Sequence, residues 1–352
     1  MFRVTLAFSN GGAATASAPT REVAMRKFRP LVVAAALSCV AVMSAACGAT
    51  GHTGSAQAGV DNLEIVVGNS PGGGYDTMAR QIAAVLQTDK IAPGVRVMNK
   101  PGAGGTVALQ DLVNRAGDGE TVMTTGLAVL GAVITNESPV TLDQVTPIAR
   151  VLEEPMIIAV DAASPYRTLD DLIRAWKADP AKVTAGGGAI GGPDYQQVML
   201  LAKAVGINPR TVNFVTYDGG GELLPAILGG RVQFTASGYA EWAEQVDSGQ
   251  IRILAVSGEK RLEKVDAPTI KEQGVDLVFT NWRGFVAPPD ISDEQRTAIV
   301  AAFEKLHSSP AWRERLQLNG QLDAYLAGDE FATFIDQQQT TVETVLAEAG
   351  LR

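Results

Sequence analysis

The sequence contains few residues of the types that most catalytic and metal sites require. Its 352 residues include only 2 Cys and 2 His, and aromatic residues make up 6%. Two cysteines exclude a disulfide-rich scaffold and a four-thiolate zinc site. Two histidines leave little room for a histidine metal cluster or for histidine-based catalysis. The formal net charge of -9 argues against a nucleic-acid partner.

Hydrophobic residues, in contrast, make up 46% of the chain, which is ample for a folded core and excludes wholesale disorder. The length suggests about two domains, at roughly 150 residues each. Glycine is in clear excess, with 37 copies. These glycines are unevenly distributed, which indicates that some of them serve a local purpose.

The first 46 residues have the features of an export signal. A basic stretch, Met25–Arg29, precedes the apolar run Leu31–Met43, which is shorter than the ~20 residues of a membrane span but typical of a signal-peptide core. The run ends in Ser44–Cys47, and small residues before a cysteine resemble the lipidation site of bacterial lipoproteins. We predict that Met25 is the true start and that Cys47 is lipidated; a plain cleavage site is the alternative.

Short apolar strands alternate with helices along the rest of the chain. The helix Thr168–Lys177 is predicted from its capping threonine and the acids in its first turn. Leu277–Phe279 is predicted as a strand, and three helices are predicted at 292–307, 310–318 and 329–349. The alternation predicts an α/β fold of parallel sheets with helices on both faces, whose ligands lie beyond the carboxyl ends of the strands.

Four glycine-rich loops each follow a predicted strand and precede a predicted helix. They hold 14 of the 37 glycines and occupy Pro71–Asp76, Pro101–Thr106, Gly186–Gly192 and Asp218–Gly221. Glycine lets the backbone approach a ligand closely, and the helix behind each loop presents free N–H groups and a partial positive charge. Any one loop could be only a tight turn, but together they predict an anion site built from backbone groups.

Two motifs in these loops are typical of other functions. Gly68–Gly72 matches the Gly-x-Ser-x-Gly elbow of serine hydrolases, and His307 follows it, but Pro71 has no N–H to offer an oxyanion hole. Gly186–Gly191 matches the Gly-x-Gly-x-x-Gly motif of dinucleotide-binding proteins. That interpretation leaves the other three loops unexplained, so an exported nucleotide- or flavin-binding oxidoreductase is kept as an alternative function.

A series of short motifs is spread along the chain, at Pro71–Asp76, Asn99–Gly105, Tyr217–Gly220, Leu228–Gly230, Gly249–Val256 and Pro268–Thr269. With these motifs, residues 63–352 resemble the substrate-binding proteins of tripartite tricarboxylate transporters, also called Bug receptors. Asp194 and Asn281–Gly284 make the chain most similar to the tricarboxylate-binding branch. The resemblance implies a two-lobed periplasmic-binding-protein fold, type II-like, with a mostly parallel sheet in each lobe. It also implies closure like a Venus flytrap, no catalysis, no cofactor and no metal.

The resemblance further implies that N–H groups and hydroxyls from both lobes hold the carboxylate oxygens of the ligand. Carried over by position, the ligand-binding residues are Gly72, Gly73, Gly74, Asp76, Gly102, Ala103, Gly104, Gly105, Thr125, Gly126, Gly187, Gly188, Tyr217, Gly219, Gly220 and Ser237. Asp76 has an alternative role, because an acid in the first turn stabilises a helix. Many relatives carry Lys at the position of Asp218 and Asp-Asn at Ala236–Ser237.

Two neighbouring residues each have two interpretations. Arg283 either binds a ligand carboxylate or forms a structural ion pair, and Trp282 either stacks on a ligand or belongs to the core. We expect the ion pair and the core position, because these are the commoner roles of such residues.

The glycine loops and the resemblance together imply an extracytoplasmic solute receptor that binds a citrate-like di- or tricarboxylate and delivers it to the membrane subunits of a transporter. A carboxylate sensor for a signalling receptor is a further alternative. The predicted segments are a signal region at 1–46, a lipid-anchored flexible tether at 47–62, one lobe at 63–160 plus 280–352, and a second lobe at 161–279. We expect an exported monomer, lipid-anchored to the outer face of the cell membrane or periplasmic, with no nucleic-acid partner.

Overall fold

The computed structural model describes residues 60–217 and 220–351. The predicted signal region with its start at Met25, the lipidation site Cys47 and most of the tether lie outside the described residues, as do Asp218 and Gly219. Of the helices in the described part of the chain, none combines the length and the apolar character of a membrane span.

Strands and helices alternate along the described residues. The strands are β1 (Glu64–Val67), β2 (Arg96–Asn99), β3 (Thr121–Gly126), β4 (Thr146–Asp161), β5 (Ala185–Gly187), β6 (Phe214–Thr216), β7 (Phe234–Gly238), β8 (Ile251–Val256), β9 (Thr280–Ala287) and β10 (Leu326–Ala327). The α-helices are α1 (Gly74–Thr88), α2 (Thr106–Val113), α3 (Leu127–Thr135), α4 (Leu169–Ala178), α5 (Pro193–Ala204), α6 (Gly220–Leu228), α7 (Ala243–Asp247), α8 (Asp293–Ser308), α9 (Pro310–Leu318) and α10 (Gly328–Glu348).

The strands form one mixed sheet in the order β2-β1-β3-β9-β4-β7-β5-β6, and β8 and β10 also pair with β4. The outer strands are parallel, since β1 pairs with β2 and β3, and β5 pairs with β6 and β7. The central strands β4 and β9 are antiparallel to their neighbours. Each end of the sheet thus carries one of the expected parallel groups, and an antiparallel centre joins the two.

Strand β4 belongs to both parts of this sheet. Its segment Thr146–Pro155 pairs with β9, and its segment Met156–Asp161 pairs with β7 and β8. The fully buried Ser257 lies at this change of partner. Its hydroxyl accepts a hydrogen bond from the N–H of Met156 (2.8 Å) and donates one to the carbonyl of Phe279 (2.6 Å). The Ser257 hydroxyl therefore connects β4 with the segment that leads into β9, at the two places where the chain passes from one part of the sheet to the other.

The four helices predicted above begin and end within one residue of their predicted bounds. In α4, the Thr168 side chain accepts a hydrogen bond from the N–H of Asp171 (3.1 Å), and the Asp171 carboxylate accepts one from the N–H of Thr168 (3.0 Å). This capping box starts a helix whose apolar face ends in the fully buried Trp176. The predicted helices at 292–307, 310–318 and 329–349 are confirmed as α8, α9 and α10, each within one residue.

Several segments differ from the expectation: α7 and β10 were not predicted, and Leu277–Phe279 and α3 are instructive. Leu277–Phe279 is not a strand; the Phe279 N–H donates to the carbonyl of Ser257 (2.9 Å), but the ladder of β9 begins only at Thr280. Helix α3 is absent from the sequence-based assignment. Its residues are apolar throughout and mostly buried, so they lack the one-sided pattern that indicates a helix.

The C-terminal helix α10 packs against both parts of the sheet. Trp282 of β9 is 1% exposed and packs edge-on against Phe331 and Phe334 of α10, which confirms its core position. Near its other end, α10 reaches α5 through an ion pair between Lys203 Nζ and Glu348 Oε1 (2.6 Å). This helix therefore contacts elements of both parts of the sheet, and β4 belongs to both.

Candidate functional site

Two neighbouring cavities lie where the glycine loops of the two parts of the sheet meet. The first has a volume of about 710 Å³. The second has a volume of about 220 Å³. They share the lining residues Asn69, Gly73, Gly74, Glu241 and Arg283. The first cavity also reaches α6, and the second reaches the third glycine loop, so together they form one cleft between the parts of the sheet.

The first glycine loop lies directly at this cleft. Gly72, Gly73 and Gly74 line the first cavity, and Gly73 and Gly74 also line the second. Gly73 is the N-cap of α1, so no capping side chain covers the N–H groups of the first turn. The first glycine loop therefore presents the N-terminus of α1 to a cavity.

Asp76 lies beneath this loop rather than in the lining of either cavity. Its carboxylate accepts hydrogen bonds from the N–H of Gly72 (2.9 Å), from Arg80 Nε (2.9 Å) and from Asn99 Nδ2 (2.8 Å). Burial favours the neutral acid, but the hydrogen bonds from Arg80, Gly72 and Asn99 outweigh it and lower the pKa of Asp76. In this arrangement Asp76 shapes the loop, and its contact with a ligand stays a prediction.

The second glycine loop contributes one residue to the cleft. Gly104 lines the second cavity, whereas Gly102, Ala103 and Gly105 line neither. Gly104 packs against α3, since a Cβ on it would lie 2.5 Å from Cβ of Ala132. This loop therefore borders the cleft through a single residue.

Thr125 and Gly126 end strand β3 and line neither cavity. Thr125 is fully buried, and its hydroxyl has no hydrogen-bond partner among the described residues. Gly126 is the N-cap of α3, and a Cβ there would lie 2.4 Å from the Tyr75 hydroxyl and 2.5 Å from the Trp282 carbonyl. Glycine is required here because it lets the Tyr75 hydroxyl approach the start of α3, where burial raises the pKa of Tyr75 to about 12.

The third glycine loop holds an acid that belongs to the cleft. Gly188 and Asp194 line the second cavity, and Gly187 is buried next to them. The N–H of Gly188 donates to Asp194 Oδ2 (2.8 Å). Burial, and then the negative charge of Glu241, raise the pKa of Asp194 to about 7 despite this bond.

The remaining predicted residues are divided among different places. Tyr217 lines a separate cavity of about 720 Å³ behind the third glycine loop. Gly219 lies outside the described residues, and Gly220 begins α6, whose next residue, Gly221, lines the first cavity. Ser237 is buried and donates a hydrogen bond to Glu241 Oε2 (2.9 Å), so it holds a cleft residue without lining the cleft.

Arg283 combines the two roles considered for it. Its Nη2 forms an ion pair with Glu154 Oε2 (2.8 Å), and its Nη1 donates to the carbonyl of Gly74 (3.0 Å). The expected structural ion pair is confirmed, and Arg283 nevertheless lines both cavities. Burial raises the pKa of Glu154, while the charge of Arg283 acts in the opposite direction.

Several cleft residues were not among the predicted binding residues: Asn69, Tyr75, Glu154, Asp194, Glu241 and Asn281. Two of them carry a signal that a sequence can show. Asn69 is a polar residue just after β1, where ligands of parallel sheets lie. Glu154 is an acid within a long, mostly apolar strand, and an acid is rarely buried in such a strand unless it is paired.

The hydrolase motif does not form a catalytic pair. His307 Nε2 lies 3.0 Å from Asp323 Oδ2, and its ring stacks on Tyr325 at 4.6 Å between ring centroids. Ser70, in contrast, lines the first cavity at the start of α1. Ser70 and His307 therefore follow the chain order of a serine hydrolase but do not form its catalytic arrangement.

Comparison with known proteins agrees with this geometry. The family model described as "Tripartite tricarboxylate transporter family receptor" matches residues 78–351. The chain belongs to this family, whose members are periplasmic solute receptors and not enzymes. The oxidoreductase alternative is therefore wrong.

Among curated relatives, the "UPF0065 protein in gbd 5'region" of Cupriavidus necator is 29% identical over 295 residues, covering 82% of this chain and 88% of the relative. Among solved structures, an R. palustris protein with adipate aligns with a TM-score of 0.73 at 23% identity, covering 82% of this chain and 97% of that one. MatC from Rhodopseudomonas palustris with bound malate aligns with a TM-score of 0.70 at 22% identity, covering 81% and 98%. These structures share the two-lobed periplasmic-binding-protein fold with this chain.

Proposed function

We propose that this receptor binds a citrate-like di- or tricarboxylate in the cleft and delivers it to a membrane transporter of the tripartite tricarboxylate type. The observation that carries the proposal is the convergence of glycine loops from both parts of the sheet on the two cavities. These glycine loops do not need a lysine or an arginine to bind an anion, because their backbone N–H groups and the helix ends behind them supply the attraction.

Two helix N-termini supply the positive end of a dipole at this cleft. Helix α1 is capped by Gly73, and helix α5 is capped by Gly192; both caps lack a side-chain hydrogen bond and line the second cavity. A helix end carries roughly half an elementary charge, and two ends facing one ligand reinforce each other. The first cavity, at about 710 Å³, has the size usual for small organic ligands.

Two structures with the same fold contain dicarboxylates, malate in one and adipate in the other. These neighbours share only 22% and 23% of their residues with this chain. Through the fold that they share with this chain, they support carboxylates as the class of ligand. The number of carboxyl groups on the ligand is our proposal.

The proposed lobes are 63–160 plus 280–352 and 161–279, with the ligand between them. β4 belongs to both parts of the sheet, the chain returns to the first part just before β9, and α10 contacts elements of both parts. A ligand that touches both lobes binds the closed form better than the open form, and therefore shifts the population towards closure. The closed form is the state that a membrane partner would recognise.

Export and anchoring are part of the same proposal. The signal region 1–46, the start at Met25 and the lipidated Cys47 are supported by the sequence pattern of the N-terminus. Intact-mass measurement of the mature protein tests this, because a lipidated Cys47 adds acyl mass that a Cys47→Ala variant lacks. An unmodified N-terminus at another residue would contradict the anchor.

The ligand class is tested by thermal unfolding in the presence of citrate, tricarballylate, succinate, glutamate or nicotinate. A ligand at 100 times its Kd stabilises the folded state by about 2.7 kcal/mol, which gives a clear rise in Tm. We expect at least one carboxylate to produce this rise. A well-folded protein that none of them stabilises would contradict carboxylate binding.

A further inference from the structure

The second cavity is rich in acidic side chains. Asp194 and Glu241 line it, and Glu154 lines the first cavity beside it. The three carboxyl groups act on each other, since Glu241 and Glu154 both raise the pKa of Asp194. A cleft that binds only carboxylates gains nothing from this arrangement, because each acid repels such a ligand.

Cationic groups are scarce around these acids. Among the described residues that line the two cavities, Arg283 is the one with a positive charge. Its guanidinium is already engaged by Glu154 Oε2 at 2.8 Å and by the carbonyl of Gly74 at 3.0 Å. The charges of Asp194 and Glu241 therefore face a cavity in which the described residues offer no further cation.

Buried polar atoms at the cavity provide an independent indication of a ligand. Asn281 lies opposite Glu154 in the β4–β9 ladder, is 7% exposed and lines the second cavity. Its Oδ1 has no hydrogen-bond partner among the described residues, and the same is true of Asn69 Oδ1. Buried acceptors normally have a donor, so these oxygens indicate a donor that the ligand brings.

We propose that this acidic subsite binds a primary ammonium group, so that the preferred ligand is a di- or tricarboxylate that also carries an amino group. The inference rests on the proposed carboxylate function and narrows it. A primary ammonium has three N–H donors and a positive charge, which match the unpaired oxygen of Asn281 and the acids Asp194 and Glu241. A quaternary ammonium has no donor for these oxygens. The carboxylates of the ligand would lie at the N-termini of α1 and α5.

Calorimetric titration of matched pairs tests the proposal: aspartate with succinate, glutamate with glutarate, and 2-aminoadipate with adipate, all at pH 8. We expect the amino member of at least one pair to bind about tenfold more tightly than its partner without nitrogen, the size of one good charge interaction. The Glu241→Gln variant should reduce this ratio, because it keeps the shape of the side chain and removes its charge. Glu244→Gln changes the net charge by the same amount at an exposed residue of α7 that lines neither cavity, and it should leave the ratio unaltered.

The outcomes separate this inference from the proposed function. Equal or tighter binding of the compounds without nitrogen overturns the ammonium subsite and leaves carboxylate binding intact. Carboxylate binding that strengthens as the pH falls, with no preference for the amino members, also overturns it, since the acids would then take up a proton instead. A folded protein that binds none of these compounds and no citrate contradicts both proposals.

Discussion

Arg283 and Glu154 form a buried ion pair at the cleft, with 2.8 Å between Nη2 and Oε2 and side chains that are 11% and 4% exposed. The same guanidinium donates to the carbonyl of Gly74 in the first glycine loop. Arg283 therefore connects that loop with β4.

Replacing Arg283 by Met leaves Glu154 buried without its counter-charge. We expect the free energy of unfolding, measured by urea denaturation, to fall by about 3–5 kcal/mol. The double variant with Glu154→Gln should recover part of the loss, because it buries no unpaired charge. Arg174→Met serves as the control, since its ion pair with Asp171 is more exposed, and it should cost less than about 1 kcal/mol. Equal losses in the two single variants would contradict this account.

Gly131 is the point where α3 touches the third glycine loop. A Cβ on it would lie 1.8 Å from the carbonyl oxygen of Gly191, which is backbone and cannot simply rotate away. We expect Gly131→Ala to destabilise the protein by about 1–3 kcal/mol in urea denaturation. Gly221→Ala lies in the first turn of α6, where its Cβ would meet no atom of the described residues beyond its own helix within 4 Å, and it should be neutral or stabilising. A neutral Gly131→Ala would show that this contact is not tight.

Ser257→Ala removes the hydroxyl that connects Met156 with Phe279. The Met156 N–H then stays buried without that acceptor, which costs about 1–3 kcal/mol of the free energy of unfolding. Ser248→Ala removes an exposed hydroxyl and should change the stability by less than about 0.5 kcal/mol. If the two variants were equally stable, the hydroxyl of Ser257 would have no structural role at this position.

Asp194 should make the stability depend on pH between about 4 and 7. Its pKa in the folded protein is about 7, raised from 3.8 mainly by burial and then by Glu241. The folded state therefore holds an extra proton between these values, and the contribution of Asp194 to stability decreases as the pH rises through them. We expect Asp194→Asn to match the wild type near pH 4 and to exceed it by at least about 1 kcal/mol at pH 8, in urea denaturation series. A difference that does not change with pH would contradict the raised pKa.

Variants of Asp76 can distinguish whether its carboxylate supports the first glycine loop or contacts the ligand. Asp76→Asn keeps an oxygen for the N–H of Gly72, whereas Asp76→Ala removes it. If Asp76 only shapes the loop, Asp76→Asn should retain the affinity for the carboxylate that stabilises the wild type, and Asp76→Ala should lose about 1–3 kcal/mol of stability and bind that ligand more weakly. A large change of affinity in Asp76→Asn, measured by calorimetry, would instead indicate that the ligand touches this carboxylate.

Part of the fold was predictable because some helices, α4, α8 and α9 among them, begin at a side chain that caps the first turn. The capping box of Thr168 and Asp171 gives the start of α4, and the alternation with short strands gives the α/β class. Helix α3 was not predictable in this way, because Leu127–Thr135 is apolar on all sides. The prediction of a strand at Leu277–Phe279 was wrong because a short apolar run becomes a strand only where it pairs with a neighbouring strand along a ladder of hydrogen bonds.

The candidate site was predictable only where it consists of local motifs. The loop Gly72–Gly74 was found because its glycines stand between a strand and a helix. Glu154 and Asn281 face each other through an antiparallel register, which no local pattern reveals. Asp76 illustrates a further limit, since its place under the loop depends on Arg80 and on Asn99 of another strand.

The placement of β9 between β3 and β4 has a consequence for the order in which the chain can fold. Residues 161–279 follow one another without interruption, so their strands are available together. The neighbours β3 and β4, in contrast, are joined only when Thr280–Ala287 arrives between them, after four fifths of the chain has been synthesised. Until then β3 has an open edge, and the first part of the sheet stays incomplete. About four fifths of the polypeptide must therefore be synthesised before the first part of the sheet can be completed.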